Sequence, residues 1–194
     1  MKKTVLTFAL LSCASYAQQP HVSTPVTTKA SDASETATAI ERMQLTHGRM
    51  VVKGYSTIAI TYGLNSGRVD VEVIEVREGS TRNRGVVVQT RDATRLERTD
   101  RAYIDRDEVD ALVDAATALI AVTGDVTTLT SFEAVYKTRG GLELSQFAEA
   151  CNPVRFSVST GRISKEHVFL TERPQVEEFV AALKKAKIVL DALK

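Results

Sequence analysis

Residues Arg95–Val113 read RLERTDRAYIDRDEVDALV, and this stretch decides the fold. Its first part, Arg95 to Ile104, is strand-like. From Asp105 the period changes: Val109, Leu112, Val113, Ala116, Leu119 and Ile120 recur at helical spacing, ending near Val122 before Gly124. Asp105 fits the cap of that helix, and Asp107 and Glu108 suit the positive end of its dipole. The same strand-into-helix passage returns near the C-terminus. Ala102-Tyr103-Ile104-Asp105 aligns with Val168-Phe169-Leu170-Thr171, and Val109 and Leu112 align with Val176 and Phe179 after one extra residue. Identity is low; element order and apolar phase carry the match.

Each copy is preceded by strands. Before the first lie Met50–Tyr62, the turn cluster Gly63–Gly67, and Arg68–Glu78, where Val69, Val71 and Val73 alternate with Asp70 and Glu72 as in a half-buried strand. The phase then shifts to Ile74 and Val76, which suggests a β-bulge. Gly79–Arg84 reads as a polar loop and Val86-Val87-Val88 as a third strand. Before the second copy come Leu129–Thr138, the hairpin turn Gly140-Gly141, Leu142–Phe147, the turn Cys151-Asn152-Pro153, Val154–Thr160 and Ile163–Leu170. Thr171 is expected to cap the last helix, with Pro174 in its first turn. The fold class is therefore α+β: two ββββα units, about residues 50–123 and 128–194, each an antiparallel sheet with a helix, forming a single domain over 46–194.

The N-terminus, MKKTVLTFALLSCASYAQQ, has the layout of a signal peptide over residues 1–17. Lys2 and Lys3 precede an apolar run from Val5 to Leu11, and Ser15-Tyr16-Ala17 supplies small residues for cleavage before Gln18. Leu10-Leu11-Ser12-Cys13 gives an alternative, lipidation at Cys13, which would make the protein an outer-membrane lipoprotein instead of a periplasmic or secreted one. Residues 18–39 hold eight Ser or Thr and only two large aliphatics, Val22 and Val26. Such a segment cannot offset its ordering entropy, so residues 18–45 read as a flexible tether carrying at most a short helix near Thr36–Leu45.

Removing residues 1–17 leaves 23 basic against 24 acidic residues. That near-neutral balance gives no general support for a polyanion partner. Only Cys151 survives cleavage at Gln18, which excludes an intramolecular disulfide and a multi-cysteine metal site.

Arg95–Val113, YKTRGGLELSQF at Tyr136–Phe147 and FSVSTGRISKEHVFL at Phe156–Leu170 resemble a group of uncharacterised secreted bacterial proteins over most of residues 50–190. The resemblance implies a periplasmic or surface location and no assigned activity. Paired ββββα units also resemble, in architecture alone, the PUR-repeat and Whirly single-stranded nucleic-acid binders. That likeness carries over no binding residue.

Eight arginines fall between Arg77 and Arg106. Six of them, Arg82, Arg84, Arg91, Arg95, Arg98 and Arg101, are the candidate polyanion-binding set. Glu78, Asp92, Glu97, Asp100 and Asp105 interleave with them, and Tyr103 is the one aromatic residue in the span. The simpler reading is a solvated strand face with cross-strand ion pairs. Asp105–Asp110 lacks the glycine and late glutamate of a calcium loop. His21, His47 and His167 stand apart from one another, so no metal site and no cofactor are expected. Cys151 and His167 are the residues a nucleophile–base pair would need. Lys184, Lys185 and Lys187 lie on an ordinary exposed helix face. The expected function is a non-enzymatic, exported envelope protein, an interaction or structural module with an envelope protein or ligand as partner. The alternative is a binder of single-stranded nucleic acid or another polyanion, nucleic acid being the less expected partner. Third is an exported hydrolase. Membrane association is expected only with lipid on Cys13.

Overall fold

The computed structural model describes residues 37–92, 98–149, 153–163 and 165–193. The residues read as a signal peptide, Cys13 and most of the stretch read as a tether lie outside these, as do Arg95 and Cys151. Two four-stranded antiparallel meanders make up the fold. The first sheet runs β1 (Val51–Tyr62), β2 (Arg68–Glu78), β3 (Thr81–Asp92), β4 (Arg98–Asp105) in spatial order; the second runs β5 (Phe132–Lys137), β6 (Glu143–Ala148), β7 (Arg155–Thr160), β8 (Glu166–Leu170). Three α-helices are described: α1 (Ala39–Gln44), α2 (Val109–Leu119) and α3 (Arg173–Ala192). The architecture is mixed α+β, and a helix follows each sheet.

The aligned segments of the two halves bury the same positions. Ala102, Ile104, Val109 and Leu112 are buried, and so are Val168, Leu170, Val176 and Phe179. All belong to one continuous core drawn from both halves. The helices join the halves by crossing between them. α2, from the first half, packs on β5 and β6; α3, from the second, packs across β1, β2 and β3, and the two helices touch. Phe156 and Phe179 meet in this core with ring centroids 6.3 Å apart. Between β3 and β7 the buried hydroxyls of Thr90 and Thr160 lie 2.6 Å apart, satisfying two polar groups that burial would otherwise penalise.

The shift of phase in β2 has a different cause from the expected bulge. β2 pairs with β3 in unbroken register from Arg68↔Arg91 to Glu78↔Thr81. Val69, Val71 and Val73 face the main core, while Ile74 and Val76 face the other way into a second cluster with Ile40, Met43 and Val87. The strand is therefore buried on both faces over part of its length. The bulge sits in the neighbouring strand: Thr57 pairs Glu72 and Ala59 pairs Val71, leaving Ile58 unpaired. Ile58 and Ala59 then both pack toward the main core.

The second cluster exists because α1 docks on the outer face of the first sheet. A six-residue helix has no stability alone, so outside contacts must hold it. Thr38 and Glu41 form a reciprocal capping box, with Thr38 N to Glu41 Oε2 at 2.8 Å and Glu41 N to Thr38 Oγ1 at 3.1 Å. Asp105 supplies the rest: its carboxylate accepts from Ala39 N at 2.6 Å and from Ile40 N at 3.1 Å. Asp105 thus caps α1, not the helix that follows it in sequence. The short helix expected at the end of the tether is real and forms part of the packed body. Gly85 lies beneath it; a Cβ there would come within 2.0 Å of the Ile104 carbonyl oxygen and 2.7 Å of Ile40 Cδ1.

Other boundaries move for local reasons. The expected loop Gly79–Arg84 shrinks to a tight turn with Gly79 at φ +58°, and β3 begins at Thr81. Asp105 leads into a 3-10 turn, Arg106–Glu108, before α2 begins at Val109. The cap of α3 is Glu172, not Thr171: its N–H donates to Gln175 Oε1 at 3.0 Å, with Pro174 in the first turn as expected.

Candidate cationic grooves

Strand periodicity divides the arginine set foreseen from sequence. Arg82, Arg84 and Arg98 share the inner-face phase of Val86 and Ala102, while Arg91 and Arg101 share the outer-face phase of Val87 and Tyr103. Arg82 and Arg91 also stand nine residues apart on one strand, about 30 Å. The set therefore makes no single surface. Arg98 lies 3.7 Å from Glu166 Oε1, and Arg101 Nε donates to Gln89 Oε1 at 2.5 Å. Arg95 falls outside the described residues.

Arg82 and Arg84 do enter a concave site, with partners from distant parts of the chain. A groove of about 490 Å³ at the end of the first sheet is lined by Arg42 of α1, Arg82, Asn83 and Arg84 of β3, Asp105 to Asp107, and Arg139 from the β5–β6 connection. A second groove of about 290 Å³ shares Arg139 and adds Lys137, Arg162 and Lys165. Together the linings present eight cationic side chains against Asp105, Asp107 and Glu143. Asp105 is committed to the α1 backbone.

Ion pairs hold these cations in place. Arg84 Nε donates to Glu75 Oε2 at 2.7 Å and its terminal nitrogen to the Leu193 carbonyl at 2.7 Å; Arg82 lies 3.6 Å from Glu75. The hydrogen bond from Arg84 is the main reason the Glu75 carboxyl titrates below its ordinary range. Arg139 spans Asp107 at 2.7 Å and Glu108 at 3.2 Å. Arg106 pairs with Asp191 and lies 3.6 Å from Asp110. Arg162 reaches Glu41 of α1 at 2.5 Å. Burial pushes the Glu143 carboxyl up, but hydrogen bonds from Lys165 and Lys137 outweigh it and hold the group low. Glu41, Glu75, Glu108, Asp110 and Asp191 do not line either groove, so cations outnumber carboxylates on the open side, with Asp107 and Glu143 compensating within the linings.

The sequence did not point to Arg42, Arg106, Lys137, Arg139, Arg162 or Lys165 as a set. Arg139 and Arg162 each adjoin a turn glycine, Gly140 and Gly161, and that proximity was the one available signal. Gly140 packs so closely on Tyr103 that a Cβ would fall 1.7 Å from the Tyr103 carbonyl oxygen. This close approach is what carries Arg139 across to the first sheet.

Ser159 Oγ and His167 Nδ1 lie 2.7 Å apart on the outer face of the second sheet, with Ser157 Oγ 3.3 Å from Ser159 Oγ. Glu143, opposite Ser159 in register, is held by Lys137 and Lys165 instead of orienting the imidazole. Among the described residues, no group of three or more His, Cys, Asp or Glu side chains could hold a metal ion, and no helix is long and apolar enough to cross a membrane. No protein-family model matches this chain, and a search of curated proteins finds no significant match.

Proposed function

We propose that this protein is an exported, non-catalytic interaction module that holds an anionic envelope polymer, one bearing repeated phosphate or carboxylate groups on a glycan. The observation that carries the reading is the pair of adjoining grooves that share Arg139 and present eight cationic side chains. Arginine forks suit bidentate recognition of carboxylate and phosphate. Neither groove is lined by an aromatic side chain, so bases would find nothing to stack on there, and a glycan polymer fits better than single-stranded nucleic acid. The signal-peptide layout and the Ser/Thr-rich segment of the N-terminal sequence support an envelope location for such a module.

Binding is expected to be weak and salt-sensitive because carboxylates surround the grooves. The test is a titration with polygalacturonate, polyphosphate and a single-stranded oligonucleotide at about 50 and 200 mM salt, the range over which counterion release weakens contacts steeply. Arg42→Ala, Arg106→Ala and Lys165→Ala should each lower the salt slope by about one. Changing Arg95, Arg98 and Arg101 to Ala should leave binding unchanged. Equal loss in both sets, or no binding at low salt, overturns the assignment. Oligonucleotide binding at high salt with quenched tyrosine fluorescence would replace it with a nucleic-acid function.

A further inference from the structure

We infer that β1 pairs with the β1 of a second copy of this chain, antiparallel about a twofold axis at Tyr55, so that two first sheets join into one of eight strands. Among the described strands, β1 is an edge strand, hydrogen-bonded only to β2. Over its twelve residues, VVKGYSTIAITY, it carries a single charge, Lys53. Val52 to Thr57 are all exposed, with Val52 at 52% and Tyr55 at 45%. Edges of this length are ordinarily blunted by several charges, proline or a covering element, because they present unpaired backbone groups to any strand that fits. Among the described residues the protection is confined to one end: the bulge at Ile58 breaks the regular register, and Ala59 to Thr61 are less exposed than the residues before it. The pairing-competent edge is therefore the stretch before the bulge, centred near Tyr55.

The stretch is complementary to itself. With Tyr55 opposite Tyr55 of the second copy, Gly54 faces Ser56 and Lys53 faces Thr57. Small residues then meet on one face and the two phenol rings on the other, as cross-strand aromatic pairs favour. The two Lys53 side chains stay apart. One strand beyond Thr57 stands Glu72, whose Oε1 accepts from Thr57 Oγ1 at 3.3 Å. Two strand spacings are about 10 Å, within the joint reach of a lysine and a glutamate. Lys53, which donates to Gln44 Oε1 at 2.6 Å within its own chain, thus gains a carboxylate across the interface. Charge complementarity, with one cation and one anion contributed twice by symmetry, selects a second copy as the occupant.

The experiment is sedimentation velocity of the full-length chain across low to high micromolar concentration, with circular dichroism as the folding control. A dimer that dissociates on dilution is expected. Tyr55→Lys sets like charges opposite each other at the axis and should weaken association at least about tenfold without altering the fold. Lys53→Glu should weaken it about fivefold, and adding Glu72→Lys should restore it. With Cys13 and Cys151 changed to Ser, Tyr55→Cys should give a disulfide-linked dimer under mild oxidation, whereas Ser56→Cys, too far from its mate in this register, should not. A chain monomeric at every concentration overturns the inference. So does a dimer indifferent to Tyr55→Lys, or one that Ser56→Cys cross-links as readily.

Discussion

Asp105→Ala is the sharpest probe of how the first sheet is covered. Asp105 is 7% exposed, and its carboxylate accepts two backbone N–H groups at the start of α1. Its loss leaves both donors without their partner beside a buried surface, and hydrogen bonds to charged groups are worth about 1.5–3 kcal/mol each, so a total of about 2–4 kcal/mol is expected after partial rehydration. For a domain of this size that corresponds to a fall in Tm of about 5–12 °C. Ile40→Ala removes a fully buried side chain and should alone cost about 2–5 kcal/mol. Both changes undock the same helix, so they must not add: the double variant should fall short of the sum by about 1–3 kcal/mol. Urea denaturation of the four proteins closes the cycle. Additivity within about 0.5 kcal/mol would show that α1 does not depend on Asp105, and the account of the second cluster would fail.

Val113→Asp and Phe179→Asp each place an unpaired charge in the shared core, and each should abolish cooperative folding of the whole domain as read by circular dichroism; one half surviving would refute a single core. Gly85→Ala should destabilise by more than about 2 kcal/mol in urea melts, since the new Cβ meets backbone that cannot move aside; a smaller effect would mean that α1 yields freely. Glu75 titrates below its ordinary value because Arg84 donates to it, so its contribution is fully present above the unfolded value of about 4.3 and is lost as pH falls through the folded value. Glu75→Gln should therefore flatten the acid limb of stability against pH below about 5, and an unchanged limb would remove that ion pair from the stability account.

Much of the architecture was legible because it rests on local periodicity. The alternation of Val69, Val71 and Val73 and the helical spacing from Val109 to Ile120 both reflect burial of one face, which sequence records directly. Ile74 and Val76 were misread because a second buried face and a bulge leave the same trace, a shift in apolar phase. What separates them is a covering element, and α1 hides inside a polar segment where only Ile40 and Met43 mark it. Asp105 was legible as a cap, but its helix lies 66 residues upstream, beyond any local rule. The grooves were the least visible part. Arg42, Arg106, Arg139 and Arg162 converge through tertiary packing, whereas Arg82, Arg84, Arg91, Arg98 and Arg101 are dispersed by the alternation of the strands that carry them.

The crossing of the helices constrains the order in which the molecule can be completed. α3 completes the cover over β1 to β3, yet it lies more than a hundred residues after β1 in the chain. Contacts of such sequence separation form slowly, so a growing chain stays incomplete until α3 is available. The crossing also means that a lone ββββα unit would expose the sheet face its own helix does not cover. Either unit taken alone would therefore need a second unit to cover that face.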